Sequence, residues 1–285
     1  MRRPAINCRD RRSPSRPGPD GCHCGHPSRP SQISMNAIER GECMIARHGF
    51  RILLALLFST AAAVEAAPRP TVVELYTSEG CSSCPPAEEY LGELTNRNDV
   101  LPLSFHVDYW DELGWRDPLA FSASTGRQRG YAARLGLHSI FTPQVVIDGR
   151  ESLVGSDRRR IARRLDAASS PSIDLELARQ GGDLVVSVGS ESSSGSVDVV
   201  LVPFRRRVIS AIGRGENQGR TLTEFNVARE LRVIGHTRGA ESLHIRVALD
   251  SLPKDATDVA VLAQRPSQGE IVGATQLDLS AHPAS

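Results

Sequence analysis

The sequence predicts an α/β domain with a helical insertion over residues 70–168, followed by an all-β, sandwich-like domain over residues 172–285. In the first part, short apolar runs alternate with segments of helical periodicity, which is typical of α/β proteins. In the second part, short β-branched runs recur between breaks rich in Gly, Ser and Asn, and this spacing is typical of a β-sandwich. The pattern changes at residues 169–172, and a chain of 285 residues has room for both domains.

The first part opens with a strand, a helix and a second strand. Residues 71–78 (TVVELYTS) are apolar and β-branched, and they predict a buried strand. Pro85 and Pro86 suit the first turn of the helix that follows. That helix has one apolar face, formed by Ala87, Tyr90, Leu91 and Leu94. Residues 100–109 (VLPLSFHVDY) predict the second strand.

A helical insertion, a hairpin and a last helix complete the first part. Residues 118–137 contain helical stretches with glycine breaks. Residues 144–148 and 152–154 predict two strands, and the Asp148-Gly149 pair between them favours a tight hairpin turn. Residues 157–168 predict a basic helix.

The second part consists of predicted strands and their connections. The strands are SIDLELA, DLVVSVG, VDVVLVPF, ARELRVIG, ESLHIRVAL and DVAVLAQR. The glycine-rich segment 213–219 (GRGENQG) does not lead from a strand into a helix. It therefore predicts a long hairpin loop rather than a phosphate-binding loop.

The first 66 residues predict a leader that is removed on export. Residues 44–66 combine arginines, a short apolar core and small residues before Ala67, which is typical of a secretory signal peptide. The apolar core is shorter than the ~20 residues that span a bilayer, so we expect no membrane span after cleavage; a retained anchor is the alternative. Residues 1–43 predict a disordered or non-native upstream segment. We therefore expect a periplasmic or secreted protein.

The charge of the mature chain excludes one class of partner. The full chain has 34 basic and 33 acidic side chains, of which ten arginines and five acidic residues precede residue 67. The remainder has 24 basic and 28 acidic side chains, a net charge of −4. A mildly acidic protein is a poor ligand for a phosphate backbone, so we expect no nucleic-acid partner.

The central feature of the predicted mature chain is its pair of cysteines, Cys81 and Cys84. The other four, Cys8, Cys22, Cys24 and Cys43, precede residue 67. The pair remains in a compartment that permits disulfides, and it could be a working dithiol, two metal ligands or a structural staple. A bridge across so short a loop removes little chain entropy, which argues against the staple. Two cysteines are also too few for a closed zinc site.

The order of elements around the dithiol resembles the thioredoxin fold over residues 70–168. Four stretches are also similar to secreted proteins grouped as domain-of-unknown-function 1223: YTSEGCSSCPPAE, FHVDYWDELGW, FTPQVVIDG and GENQGRTLTEFNV. The last stretch extends the resemblance over nearly the whole mature chain. The family label implies no substrate.

The thioredoxin-like resemblance implies roles for five residues. It implies that Cys81 is an exposed nucleophile at the helix N-terminus and that Cys84 is the buried resolving thiol. It also implies a cis peptide bond between Thr142 and Pro143, beside the cysteines. Glu74 is a candidate for the buried carboxylate that thioredoxins use in proton transfer, and an exposed or salt-bridged carboxylate is the alternative.

Aromatic and polar residues after the second strand are candidates for substrate binding. His106 and Asp108 share a face of the predicted strand, and with Tyr109 and Trp110 they are candidates to line a groove beside Cys81. Packing of the helical insertion onto the sheet is the alternative role for these aromatics. His106 could instead complete a Cys-Cys-His site for Cu(I), since thiolates suit that ion.

The sequence thus predicts thiol–disulfide exchange on exported proteins through Cys81 and Cys84. The expected partners are exported protein thiols or a redox partner protein, and we expect no cofactor. The alternative is a non-enzymatic Cu(I)-binding or metallochaperone module that uses the same cysteines with His106. A docking protein that acts through its sandwich is a third reading.

Overall fold

The computed structural model describes residues 69–167, 173–189, 195–238 and 241–280. Three predicted features lie outside the described residues: the upstream segment 1–43, the signal peptide 44–66 and the boundary at 169–172. The described residues fall within one compact unit. Within these ranges, no helix has the length and apolar character needed to cross a membrane.

The described residues form twelve strands and three α-helices. In chain order they are β1 (Thr71–Thr77), α1 (Pro85–Leu94), β2 (Val100–His106), α2 (Ser122–Leu135), β3 (Gln144–Ile147), β4 (Glu151–Val154), α3 (Arg158–Asp166), β5 (Leu175–Gln180), β6 (Asp183–Val188), β7 (Ser196–Ala211), β8 (Thr221–Ala228), β9 (Arg232–Arg238), β10 (Leu243–Ala248), β11 (Asp258–Gln264) and β12 (Ile271–Asp278). Two short 3-10 helices occupy Asp108–Leu113 and Leu249–Ser251.

The predicted fold class is wrong, because one mixed sheet runs through both parts of the chain. Its nine strands have the order β12-β11-β7-β8-β2-β1-β3-β4, and β9 pairs with β7. The predicted strand, helix and second strand are present, and β1 and β2 form a parallel pair. The other edge of β2, however, is joined to β8 by a parallel pair between Ser104 and Val227. The arrangement is therefore not a thioredoxin-like domain followed by a separate sandwich.

The physical reason for this difference lies in what strand alternation can specify. The pleat decides which side chains share a face, but it does not decide which strand lies alongside. An unpaired edge on β2 would leave backbone N–H and C=O groups without partners in the interior. Pairing with β8 satisfies part of that edge, with residues that the sequence pattern had assigned to a second domain.

A smaller sheet of order β10-β6-β5 packs against part of the nine-stranded sheet. The core between them contains Leu184 and Val186 of β6, Val199 of β7 and Val261 of β11, all fully buried. Burial of each such side chain stabilises the fold by about 1.5–3 kcal/mol. Sandwich-like packing is thus present locally, but one of its two layers is the shared sheet.

Strand β1 separates two further cores and carries the chain to the cysteines. Val73 and Leu75 pack with residues of α1 and α3 on one face. Val72 and Tyr76, which alternate with them, pack with Tyr131 of α2 on the other. Both faces of β1 are therefore packed against other elements. The turn that follows β1 leads directly to the buried Cys81.

The turn between β3 and β4 contacts the start of β12, the last strand of the chain. Asp148 and Gly149 have φ angles of 47° and 67°, as the predicted Asp-Gly turn requires. A Cβ on Gly149 would lie 2.3 Å from the carbonyl oxygen of Gly269, so no larger residue fits. The Ile271 N–H donates to the Asp148 carbonyl at 2.9 Å, which fixes the start of β12 against this turn.

Candidate functional site

The two cysteines form a disulfide at the start of α1. Cys81 lies in the turn after β1, Cys84 occupies the N-cap of α1, and their Cα atoms are 5.4 Å apart. Both are buried, with exposed fractions of 0% and 1%, while Ser82 and Ser83 between them are exposed. The prediction of an exposed Cys81 is therefore wrong for this disulfide form.

The loop between β7 and β8 is hydrogen-bonded to the backbone around Cys81. The buried side-chain amide of Asn217 donates to the carbonyls of Glu79 and Cys81 at 2.8 and 3.0 Å. Next to it, Glu216 accepts hydrogen bonds from the N–H and hydroxyl of Ser82 at 3.1 and 2.6 Å. The glycine-rich segment 213–219 is thus a hairpin loop, as predicted, and it holds the dithiol loop.

A charged pair lies buried near the disulfide. Nδ1 of His106, the last residue of β2, is 2.7 Å from Oδ2 of Asp117. Burial alone lowers the pKa of His106, but the negative charges of Asp117, Glu88 and Glu224 outweigh it and raise the pKa to about 9. Burial alone raises the pKa of Asp117, yet the His106 cation and hydrogen bonds bring it below its ordinary value.

Two buried carboxyl groups lie close to this pair. Glu88, one turn after Cys84, accepts a hydrogen bond from the Ser104 hydroxyl at 3.0 Å, and burial raises its pKa. Glu224 of β8 has an exposed fraction of 1%, and neither of its oxygens has a hydrogen-bond partner among the described residues. Burial, against the opposing effect of the His106 charge, raises the pKa of Glu224 to about 8.

A cavity of about 370 Å³ connects these groups with the disulfide. Six of its lining residues are Cys84, Glu88, His106, Arg207, Arg220 and Glu224, whereas Cys81 does not line it. Cavities that bind small ligands are typically of about 300–1,000 Å³. The cavity therefore gives a small molecule access to Cys84 past a set of buried titratable groups.

The predicted substrate-binding residues are divided between the site and the helical insertion. The strand ends at His106, and Asp108 begins a 3-10 helix, so the two do not share a strand face as predicted. Asp108 instead accepts a hydrogen bond from the Thr125 hydroxyl of α2 at 2.6 Å, and Tyr109 packs against the core. These contacts match the packing alternative.

Trp110 and the Thr142-Pro143 pair lie nearer to the cysteines. The Trp110 indole N–H donates to the Thr142 hydroxyl at 2.9 Å, and its Cβ lies 3.3 Å from where a Cβ on Gly80 would stand. The peptide bond between Thr142 and Pro143 is cis. Trp110 thus links the residue before Cys81 to the cis-proline loop.

Glu74 lies away from the cavity in a buried ion pair. Its Oε1 accepts a hydrogen bond from Arg127 of α2 at 2.7 Å, and both side chains are buried. Glu74 is not among the residues that line the cavity with Cys84. The geometry fits the salt-bridged alternative, and the glutamates that line the cavity are Glu88, Glu89 and Glu224.

Sequence reasoning missed the residues that surround His106. Glu79, Glu88, Asp117 and Glu224 carry no separate signal in the local pattern, and Asn217 lies in a segment predicted only as a hairpin loop. One clue was available in the stretch GENQGRTLTEFNV, where a glutamate occupies a strand pattern of buried and half-buried residues. This glutamate, Glu224, belongs to the site only because β8 lies beside β2. The local sequence pattern does not specify that pairing.

The alternative reading, a Cu(I) site formed by Cys81, Cys84 and His106, is not matched by a preformed cluster of ligands in the described residues. Across the ranges that the structure describes, no group of three or more His, Cys, Asp or Glu side chains is arranged to hold a metal ion. The cysteines are joined to each other, and His106 is paired with Asp117.

The fold and site define a class: a protein with a buried disulfide at a helix start, built on a mixed sheet and covered by a hairpin loop. The chain belongs to the family described as protein of unknown function (DUF1223), whose model matches residues 72–264.

A solved structure is similar to this chain over most of its length. A crystal structure of a protein from Agrobacterium tumefaciens is 31% identical, with a TM-score of 0.66 over 76% of this chain and 98% of that chain. OgpA from Akkermansia muciniphila is 9% identical over 40% of this chain and 30% of that chain. The TM-score of that pair is 0.23. A search of curated proteins found no match.

Proposed function

We propose that the protein performs thiol–disulfide exchange through Cys81 and Cys84. The observation that carries this proposal is the position of Cys84, in the wall of a cavity that also contains Glu88, His106 and Glu224. Titratable groups with shifted pKa values beside a reactive group are typical of functional sites. A disulfide that served only as a staple would need neither the cavity nor these groups.

The reaction needs no further cofactor. An incoming thiolate attacks one sulfur of the disulfide, and the bond between Cys81 and Cys84 breaks as a mixed disulfide forms. A second thiolate then attacks the mixed disulfide and releases the oxidised partner, so two electrons pass from two thiols to the protein. In the reverse direction, the protein dithiol reduces a disulfide. Because Cys84 lines the cavity, it is the sulfur that a partner entering there meets first.

We also propose that the protein acts after export, on the partners that the sequence predicts. Residues 44–66 predict export, and exported protein thiols or a redox partner protein are the partners that the sequence predicts. Because both cysteines are buried, a protein partner must move the segments around them or insert a narrow segment.

A reduction-potential titration tests the proposal. The mature protein is equilibrated in thiol–disulfide buffers of defined potential, free thiols are alkylated, and the oxidised fraction is read by mass spectrometry. We expect a midpoint above about −300 mV, since structural disulfides of secreted proteins generally lie below that value. A disulfide that stays oxidised throughout, or one that never exchanges with added thiols, would contradict the proposal.

A further inference from the structure

We infer that the cavity beside Cys84 binds a low-molecular-weight disulfide that carries both an ammonium and a carboxylate group. This inference rests on the proposed exchange activity and specifies its substrate class. It follows from three parts of the cavity: an unpartnered carboxyl group, a pair of exposed guanidinium groups and the sulfur of Cys84.

The Glu224 side chain is suited to bind a cationic hydrogen-bond donor. It lines the cavity, is almost fully buried, and has no hydrogen-bond partner on either oxygen within the described part of the chain. A buried polar group without a partner is costly to the fold, so a ligand that donates hydrogen bonds to it gains that energy on binding.

The charges around Glu224 favour an ammonium group over a neutral donor. Glu88 and Glu89 line the same cavity, and Glu79 and Asp117 lie close enough to act on Glu224 electrostatically. His106 is the buried positive charge among them. An ammonium group beside Glu224 supplies a second positive charge and allows the carboxyl group to ionise, which makes the hydrogen bond stronger.

Arg207 and Arg220 determine which end of the ligand enters. Both line the cavity and both are exposed. Arg220 already donates one hydrogen bond to Asn217 at 2.8 Å, and its guanidinium group has further N–H donors. These groups repel a second ammonium group and attract a carboxylate. A ligand that places its ammonium group at Glu224 and its carboxylate at Arg207 and Arg220 is complementary to all three side chains.

Cys84 supplies the chemistry between these two recognition elements. In the reduced protein, the Cys84 thiolate attacks one sulfur of the bound disulfide, forming a mixed disulfide and releasing the first ligand thiolate. Cys81 then attacks Cys84, releasing the second thiolate and forming the protein disulfide. The two thiol protons of the protein pass to the two ligand thiols, and the ligand gains two electrons. The cavity admits such a small molecule, whereas a folded protein partner must first reach two buried sulfurs.

Three probes that share one skeleton separate the recognition elements. Cystine carries both groups, 3,3′-dithiodipropionate lacks the ammonium groups, and cystamine lacks the carboxylates. The pre-reduced mature protein is mixed with each at pH 7.5, and formation of the protein disulfide is followed by alkylation and mass spectrometry. We expect cystine to react about tenfold faster than dithiodipropionate, the factor that corresponds to one charge-assisted hydrogen bond, with cystamine between them.

Glu224→Gln is the diagnostic variant because it keeps the shape and removes the charge. We expect it to abolish the preference for cystine over dithiodipropionate, so that the two probes react at equal rates. Glu93→Gln, on an exposed part of α1, is the matched control and should keep the full preference.

The outcomes separate this inference from the proposed function. Equal rates for cystine and dithiodipropionate in the wild-type protein, cystine no faster than cystamine, or a preference that survives in Glu224→Gln would each overturn the inference. The exchange activity would still stand in those cases. If none of the three probes oxidises the dithiol, the proposed function itself fails.

Discussion

The side-chain amide of Asn217 donates a hydrogen bond of 3.0 Å to the carbonyl of Cys81, which lies 136 residues earlier in the chain. Asn217 is fully buried, and the same amide also donates to the carbonyl of Glu79. A loop from the last third of the protein thus fixes the backbone on either side of Gly80, next to the first cysteine.

We expect Asn217→Ala to loosen the dithiol loop. The carbonyls of Glu79 and Cys81 lose the Asn217 donor, and that of Cys81 keeps only the bond from the Cys84 N–H, which should lower the free energy of unfolding by about 1–3 kcal/mol. Reduction of the disulfide by dithiothreitol should become faster, because the backbone at Cys81 is then held by fewer hydrogen bonds. Urea unfolding and timed alkylation measure the two effects. Glu216→Gln, which changes an exposed partner of Ser82, is the control and should have the smaller effect on both. Unchanged reduction kinetics in Asn217→Ala would show that the loop does not protect the disulfide.

The stability of the fold should decrease as pH rises from about 5 to 9. The pKa of Glu224 is raised from 4.5 to about 8 in the folded protein, and that of His106 from 6.5 to about 9. In both windows the folded state binds more protons than the unfolded state, so stability is present at low pH and is lost as pH rises. Each group contributes a slope of roughly 1.4 kcal/mol per pH unit inside its window.

Glu224→Gln isolates the contribution of one group to this trend. Gln cannot ionise, so its advantage over the wild type should grow steadily between pH 5 and pH 8 and level off above that. Urea unfolding of both proteins at four pH values measures the difference. Parallel stability curves for the two proteins would contradict the raised pKa of Glu224.

The two cysteines should differ in reactivity in the order opposite to the one predicted from sequence. Cys84 lines the cavity and Cys81 does not, so Cys81→Ser should leave a thiol that iodoacetamide reaches, and Cys84→Ser a shielded one. Alkylation rates of the two folded variants give the answer directly. Faster labelling of the thiol in Cys84→Ser would restore Cys81 as the attacking cysteine.

Glu74 should matter for stability and not for exchange. Glu74→Gln leaves Arg127 buried without its carboxylate, and breaking a buried ion pair costs about 3–5 kcal/mol. The exchange rate of the folded fraction should stay at the wild-type value, because Glu74 does not line the cavity. A lowered rate with normal stability would instead support the proton-transfer role that the thioredoxin-like resemblance implies.

The sequence by itself determined the local elements of this protein. The apolar alternation of β1, the prolines at the start of α1 and the Asp148-Gly149 turn each predicted an element that is present. These features depend on neighbouring residues, since dihedral preferences and side-chain periodicity act over a few positions along the chain. The spacing of Cys81 and Cys84 at the helix start likewise identified the candidate site before any fold was known.

Only the tertiary structure decided how these elements meet and which residues complete the site. The pairing of Ser104 with Val227 merges the two predicted parts into one sheet, and this brings Glu224 and Asn217 to the cysteines. The exposed Cys81 and the separate sandwich were both wrong for this one reason. The alternation of polar and apolar residues in a strand specifies which side chains share a face, but it does not specify which strand lies alongside. The neighbouring strand is determined by burial and by edge pairing between segments far apart in sequence.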